Sequence, residues 1–270
     1  MNDFTQPNAA SAPLRVVSLF SGSEGNATYI CGEKGGGILI DAGVSARALS
    51  TAFCELGRDL ASVEGIFITH EHTDHTKGLR MLAKKYRIPI HMTRPSFERY
   101  RLSSDPPPTL VVHDLLYEAV CGRLRITSFP TRHDSAACVG YVVDNGSHAV
   151  GVATDLGIAD ACVKEHLCGC ESVVIESNHD PEMLRYCSYP SELKRRIGSD
   201  NGHLSNPACA ELLTTLAERG TKNILLAHIS RESNTPEKAL AVSREALDKS
   251  GHADVRVLTA SPQALTVLVG

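Results

Sequence analysis

The chain has 270 residues, is 42% hydrophobic and 21% charged, and carries a formal net charge of −4. This is the composition of a soluble globular protein, and a mildly acidic chain has no overall field that would draw in DNA or RNA. Any nucleic-acid binding must therefore come from local basic features or from bound cations. No apolar run approaches the roughly 20 residues needed to span a bilayer, so no membrane partner is expected. Residues 1–13 are polar and alanine-rich, with neither a basic n-region nor an apolar h-region. They are expected to be a flexible tail on a single domain over residues 14–270. The nine cysteines are odd in number and scattered, with Cys31, Cys138, Cys162 and Cys209 in apolar surroundings. This suits reduced thiols and a cytoplasmic protein better than a disulfide framework.

In chain order, Arg15–Leu19, Ala27–Cys31 and Gly37–Ile40 read as strands separated by Gly/Ser-rich turns. Gly65–Thr69 is a short apolar run that ends at a histidine. Thr76–Tyr86 then has helical spacing, with Leu79, Leu82, Ala83 and Tyr86 on one face. Ile88–Thr93, Leu124–Phe129, Val139–Val143 and Ala149–Thr154 read as strands. Ser172–Ile175, Asn223–Ala227, Val255–Leu258 and Leu265–Val269 follow. Ser103–Pro108 is the loosest stretch and reads as a turn-rich loop. Asn206 before Pro207, and Thr235 before Pro236, place a cap residue ahead of proline at a helix start. This order predicts two packed sheets with helices outside, an α/β architecture.

Chemistry is concentrated in Thr69-His70-Glu71-His72-Thr73-Asp74-His75. Three imidazoles and an aspartate in six residues would be costly to bury without a common partner. In a loop at a strand end they can converge on one centre, and their nitrogen and oxygen donors suit zinc, manganese or iron. A solvated polar loop is the alternative. A lone His-x-His would merit that reading, whereas His-x-His-x-Asp-His after a strand is far more specific.

This run resembles the metallo-β-lactamase superfamily motif. Further segments resemble its YycJ/WalJ branch: Leu19–Thr28, Glu176–Asp180, Gly202–Asn206 and His228–Glu237. The resemblance runs from about Leu14 to the C-terminus. It implies an αββα four-layer sandwich, two divalent metal ions (manganese or zinc, with iron as an option), and 5′-to-3′ exonuclease activity on double-stranded DNA. It also implies the remaining ligands: His133 and Asp155 after the strands over 124–129 and 149–154, and His228 after the strand over 223–227. One metal would take His70, His72 and His133, and the other Asp74, His75 and His228, with Asp155 bridging. Asp41 matches an aspartate that orients the histidine loop, although a turn aspartate ending a strand would look the same.

Two readings stand for His203, whose related position in an RNA-processing branch lies near the scissile phosphate. It could give a proton to the departing oxygen, making it catalytic together with Asp74, or make a structural hydrogen bond near a helix start. His179 fits a metal-supporting, phosphate-contacting or structural role. Ser21 and Asn26 lie in a Gly/Ser run that could offer N–H groups to a phosphate or be only a turn. Lys77, Arg80, Lys84 and Arg87 form a basic stripe, and Lys194–Arg196 a basic cluster; either could follow a DNA backbone or be a solvated face. Cys168-Gly169-Cys170 has no matching pair elsewhere and reads as structural. Alternatives to a nuclease acting on DNA ends are a small-molecule metallo-hydrolase (cyclic phosphodiesterase, thioesterase or lactamase-like) and a non-catalytic metal-bound scaffold. Nothing in the sequence names a protein partner.

Overall fold

The structure, a computed structural model, describes residues 12–33, 36–101 and 105–269. The expected tail falls almost wholly on residues outside these, as do Ser103 and Ser104 of the expected loop. The first half supplies β1 (Arg15–Phe20), β2 (Ala27–Cys31), β3 (Gly37–Ile40), β4 (Val63–Phe67), β5 (Ile90–Thr93) and β6 (Leu110–His113). Then come β7 (Glu118–Cys121), β8 (Leu124–Thr131), β9 (Cys138–Asp144), β10 (Ala149–Ala153), β11 (Ser172–Glu176), β12 (Asn223–Ala227), β13 (Arg256–Thr259) and β14 (Thr266–Val269). Two seven-stranded sheets result, ordered β14-β1-β2-β3-β4-β5-β6 and β13-β12-β11-β10-β9-β8-β7.

Alternation along the strands explains the layering. On β2 and β3, Ile30, Ile38 and Ile40 point to the core between the sheets, where they join Ile126, Tyr141 and Val152. Tyr29, Cys31 and Leu39 point the other way, toward α1 (Ala46–Glu55). Because both faces are covered, β2, β3 and β11 are buried at every position.

The remaining helices are α2 (Thr73–Thr76), α3 (Leu79–Tyr86), α4 (Arg94–Tyr100), α5 (Ala161–Leu167), α6 (Pro181–Tyr186), α7 (Ser191–Ile197), α8 (Asn206–Glu218) and α9 (Pro236–Lys249). Leu79 and Leu82 of α3 pack in the outer core of the first sheet. Val163, Leu212, Leu216 and Leu247 do the same for the second. The expected αββα sandwich is present.

The sheets share a plan: β3 to β6 run parallel in one, and β10 to β13 in the other. Side chains placed just past parallel strands converge at one end of a sheet, the usual place for a site in such folds. Asp41 follows β3, His70 follows β4, Asp155 follows β10, and His228 follows β12. Asp41, Asp155 and His228 adopt left-handed φ angles of 64°, 55° and 52°. Such angles let the chain turn sharply, at a cost of order 1–3 kcal/mol each.

Several elements differ from the sequence reading or were absent from it, among them the helices α1 and α4 to α7. The helix expected over Thr76–Tyr86 is broken into α2 and α3, because Gly78 N–H donates to Ala42 O and bends the chain there. A Cβ on Gly78 would lie 2.5 Å from Val44 O, so the bend depends on close backbone approach. The cap of α8 is Ser205, not Asn206: its hydroxyl accepts from Ala208 N–H, while Asn206 is fully buried and bonded to other loops. Strands β6 and β7 were not anticipated; they are partly exposed edges with little apolar alternation.

Gly43 holds the histidine loop in place. Its N–H donates to Asn26 O, Asn26 N–H donates to Asp74 O, and a Cβ at residue 43 would sit 1.5 Å from Asp74 O. Gly43→Ala is therefore expected to push the loop outward, destabilising the fold by about 1–3 kcal/mol and lowering metal uptake. Thermal melts with elemental analysis check this. Wild-type melting and metal content together would show that the loop tolerates the methyl group.

Candidate metal centre

Three of the rings expected to converge do so. His70 lies 4.4 Å from His72 and 5.0 Å from His133, centroid to centroid, and His72 lies 5.3 Å from His133. Their donor atoms form one group close enough to hold an ion, and Asp74, His75 and His228 form a second. Asp155 reaches both: one oxygen is 3.2 Å from His75 Nε2, the other 3.7 Å from His133 Nε2 and 3.5 Å from His228 Nδ1.

Outer contacts select the donor atom of each ring. His133 Nδ1 lies 3.0 Å from Gly202 O, and His75 Nδ1 lies 2.8 Å from Asp41 Oδ2, so each Nε2 is left facing inward. Asp41 also accepts from Thr69 N–H at 2.9 Å and from the Thr69 hydroxyl. His70 Nδ1 lies 3.0 Å from that hydroxyl. His70 Nε2 and His228 Nε2 are buried with no hydrogen-bond partner among the described residues, and Asp155 Oδ2, also buried, faces His75 Nε2 without meeting hydrogen-bond geometry. Nitrogen and oxygen donors gathered and left unpaired in this way fit divalent cations.

The residue missed by the sequence reading is Glu176, at the end of β11 and fully buried. Its Oε1 accepts from His203 Nδ1 at 2.8 Å and His228 Nδ1 at 2.7 Å. Its Oε2 accepts from Leu156 N–H at 2.8 Å and Leu204 N–H at 3.0 Å. Glu176, His203, His228 and Asp155 also lie close enough to form a donor group. However, a carboxylate offers about four acceptor sites, and here all four are used. Glu176 is thus a brace for two histidines rather than a free donor. Its signal in the sequence was a carboxylate closing an apolar strand, the position Asp155 occupies one strand earlier.

Ser21 and Asn26 are buried, and the N–H groups of Gly22, Gly25 and Asn26 in their loop already donate within the protein. The Ser21 hydroxyl accepts from His228 N–H at 2.8 Å, and Asn26 Oδ1 accepts from Gly22 N–H while its amide meets His75 Nε2 at 3.1 Å. His179 is buried behind the brace, bridged through its backbone to Ser205, with Nδ1 unpartnered among the described residues. Cys168 and Cys170 join no donor group among the described residues.

The basic features separate. Lys77 lines a cleft of about 450 Å³ with Asp74, Ser23 and Glu24. Arg80 pairs with Asp105, and Lys84 and Arg87 follow α3 away from the metal loop toward the start of β5. Arg196, from the other cluster, instead lines a cleft of about 950 Å³ with His72 and Asp74.

Burial pushes His70 and His72 below the ordinary histidine range, reinforced by His75 and His133 respectively. Burial also disfavours charge on His228, but Asp155 and Glu176 outweigh it and raise this group to about 9. His75 is raised well above its usual value in the same way by Asp41 and Asp155, and His203 is raised by Glu176. Raised histidines stabilise fully below the unfolded value near 6.5, and that stability is lost as pH climbs through the folded value. Lowered histidines lose theirs as pH falls below 6.5. Metal-free protein is therefore expected to melt highest near pH 6.5 and to weaken toward pH 9. Added metal should raise Tm more at pH 9 than at pH 6, since binding displaces protons from His75 and His228. A metal-free Tm that climbs steadily to pH 9 would contradict this.

Residues 37–229 match the profile of the Beta-lactamase superfamily domain. The chain belongs to the metallo-β-lactamase superfamily. It is 34% identical over 240 residues to Exodeoxyribonuclease YycJ of Bacillus anthracis, covering 88% of this chain and 90% of that one. It is 33% identical over 258 residues to Exodeoxyribonuclease WalJ of Streptococcus pneumoniae, covering 93% and 95%. Among solved structures, the metallo-β-lactamase fold protein YhfI from Bacillus subtilis superposes with a TM-score of 0.71 at 15% identity, covering 95% of this chain and all of that one. The short form of human tRNase Z superposes at 0.64 and 14%, covering 95% of this chain and all of that one. At such identities the likeness is one of fold. As a superfamily member with these relatives and this donor cluster, the chain is a metal-dependent hydrolase. No helix among the described residues is long and apolar enough to cross a membrane.

Proposed function

We propose that this hydrolase is a two-metal phosphodiesterase, acting as a 5′-to-3′ exonuclease on the ends of double-stranded DNA. One metal would be held by His70, His72 and His133 and the other by Asp74, His75 and His228, with Asp155 between them. Manganese or zinc fits the nitrogen and oxygen donors, and iron is a third option. Two divalent ions against Asp74 and Asp155 leave a net positive centre, which suits an anionic diester. The ions would supply Lewis acidity toward a phosphoryl oxygen and lower the pKa of water.

The observation that carries the reading is the place of His203. Its ring is 5.0 Å from that of His133 and 5.2 Å from that of His228, one from each donor group. Glu176 fixes its Nδ1 and favours its protonated form, leaving Nε2 free to give a proton to the departing oxygen. Diester cleavage needs such a donor beside the metals, whereas a bound scaffold does not. The named activity of the two relatives, which align over most of the chain, supports DNA as the substrate. We further infer that residues 14–270 act as one domain, since both sheets contribute donors. The nine unpaired thiols support a reducing compartment, the cytoplasm.

An activity panel tests the reading: manganese- or zinc-loaded protein against linear duplex DNA, cyclic nucleotides and thioesters. Release of mononucleotides from duplex ends, with weak or no turnover of the others, is expected. Preferential cleavage of cyclic nucleotides or thioesters would move the chain to a small-molecule hydrolase. No turnover of any substrate at full metal content would favour a scaffold.

A further inference from the structure

The larger cleft beside the metal centre holds two arginines that the proposed reaction does not use. Arg99 comes from α4, which follows the first sheet's β5, and Arg196 from α7, which lies between β11 and β12 of the second. Both line the same cleft of about 950 Å³, together with His72 and Asp74. Arg99 has no ion-pair or hydrogen-bond partner for its guanidinium among the described residues. Among the described residues the Arg196 guanidinium has one ion-pair contact: its Nε lies 2.9 Å from Asp134 Oδ2. The other oxygen of Asp134 lies 3.2 Å from His133 Nε2, so one carboxylate ties the arginine to the edge of the metal centre. Two of the three acids in this cleft are engaged: Asp134 is paired with Arg196, and Asp74 belongs to the second donor group; Glu71 Oε1 accepts from Ala136 N–H at 2.9 Å, while its Oε2 is buried with no hydrogen-bond partner among the described residues.

We propose that Arg99 and Arg196 form a second phosphate site, which holds a phosphate of the substrate strand next to the one being cleaved. This rests on the phosphodiesterase reading and adds to it a requirement for a polynucleotide. With Nε turned to Asp134, Arg196 keeps its two Nη groups, the pair that meets a phosphate in bidentate fashion. Arg99 supplies a second cation to the lining of the same cleft. This arginine pair, together with the cations of the proposed metal centre, offsets Glu71, Asp74 and Asp134 of the same lining, so that a chain with a net charge of −4 could retain a polyanion there. It also replaces the α3 stripe as the expected contact, since Lys84 and Arg87 lead away from the metal loop.

The test uses metal-loaded full chain with Arg99→Ala and Arg196→Ala. Hydrolysis of a duplex oligonucleotide is compared with that of bis(p-nitrophenyl) phosphate, a diester with a single phosphate. Each variant should lower the ratio of the two kcat/KM values by about tenfold or more, the scale of losing a charge-assisted hydrogen bond. Binding of a phosphorothioate duplex, followed by anisotropy against salt, should lose about one unit of slope per arginine. The double variant Lys84→Ala/Arg87→Ala should leave ratio and slope at wild-type values. If wild-type protein cleaves duplex DNA and Arg99→Ala keeps both ratio and slope, the second phosphate site is wrong while the phosphodiesterase reading stands. Equal losses on both substrates would also overturn it, as damage reaching the metals through Asp134 and His133. Wild-type protein that neither binds nor cleaves duplex DNA would sink both.

Discussion

Asp155→Asn is expected to lower turnover by roughly 10³-fold or more and to remove at least one of the two metal ions proposed above. Asp155 is 2% exposed and lies within 3.2–3.7 Å of nitrogens from His75, His228 and His133. Its carboxylate is in reach of both donor sets, and burial alone would raise its pKa. His228 and His75 overcome burial and hold it well below the usual carboxylate range, so it is ionised at any working pH. Asparagine keeps the shape and tolerates the left-handed φ of 55° at this position. The substitution therefore tests charge rather than backbone strain. An alanine there would confound the result, because it would add a buried cavity and left-handed backbone strain to the loss of charge. Elemental analysis and rate measurements on the same preparation decide it. Full metal content with turnover within tenfold of wild type would show that Asp155 does not bridge.

His203→Ala is expected to reduce turnover by about 10²–10⁴-fold, the scale of a general acid, with metal content unchanged. The histidine is braced by Glu176 and sits between rings of the two donor groups, yet its side chain keeps 15% exposure. That combination lets it meet a substrate without being needed to hold the fold. The competing role is structural, through the same Glu176 contact. Glu176 would still be bonded to His228 and to two backbone N–H groups after the substitution, so stability should change little. A structural His203 would reverse the pattern, with a lowered Tm and turnover near wild type. Loss of metal along with turnover would instead place His203 among the ligands.

The sequence by itself determined the layered fold and most of the donor set, for local reasons. A short apolar run bounded by turn residues is a local signal, so β2, β3 and β12 matched their expected bounds residue for residue. The histidine loop is compact because one short turn must present several donors together, and that spacing is visible without any tertiary contact. His133, Asp155 and His228 were placed by family resemblance and are each found just past a strand end. Only the tertiary structure decided what depends on chain segments far apart. Glu176 looks like any strand-end acid until His203 and His228, 27 and 52 residues away, bring their Nδ1 atoms to one of its oxygens. Ser21 reads as a turn residue until its hydroxyl meets the backbone of His228, 207 residues on. The α3 stripe and Arg196 look equally basic in sequence. The parallel crossover from β4 to β5 carries the first away from the metal loop, and packing of the second sheet brings the other to the cleft.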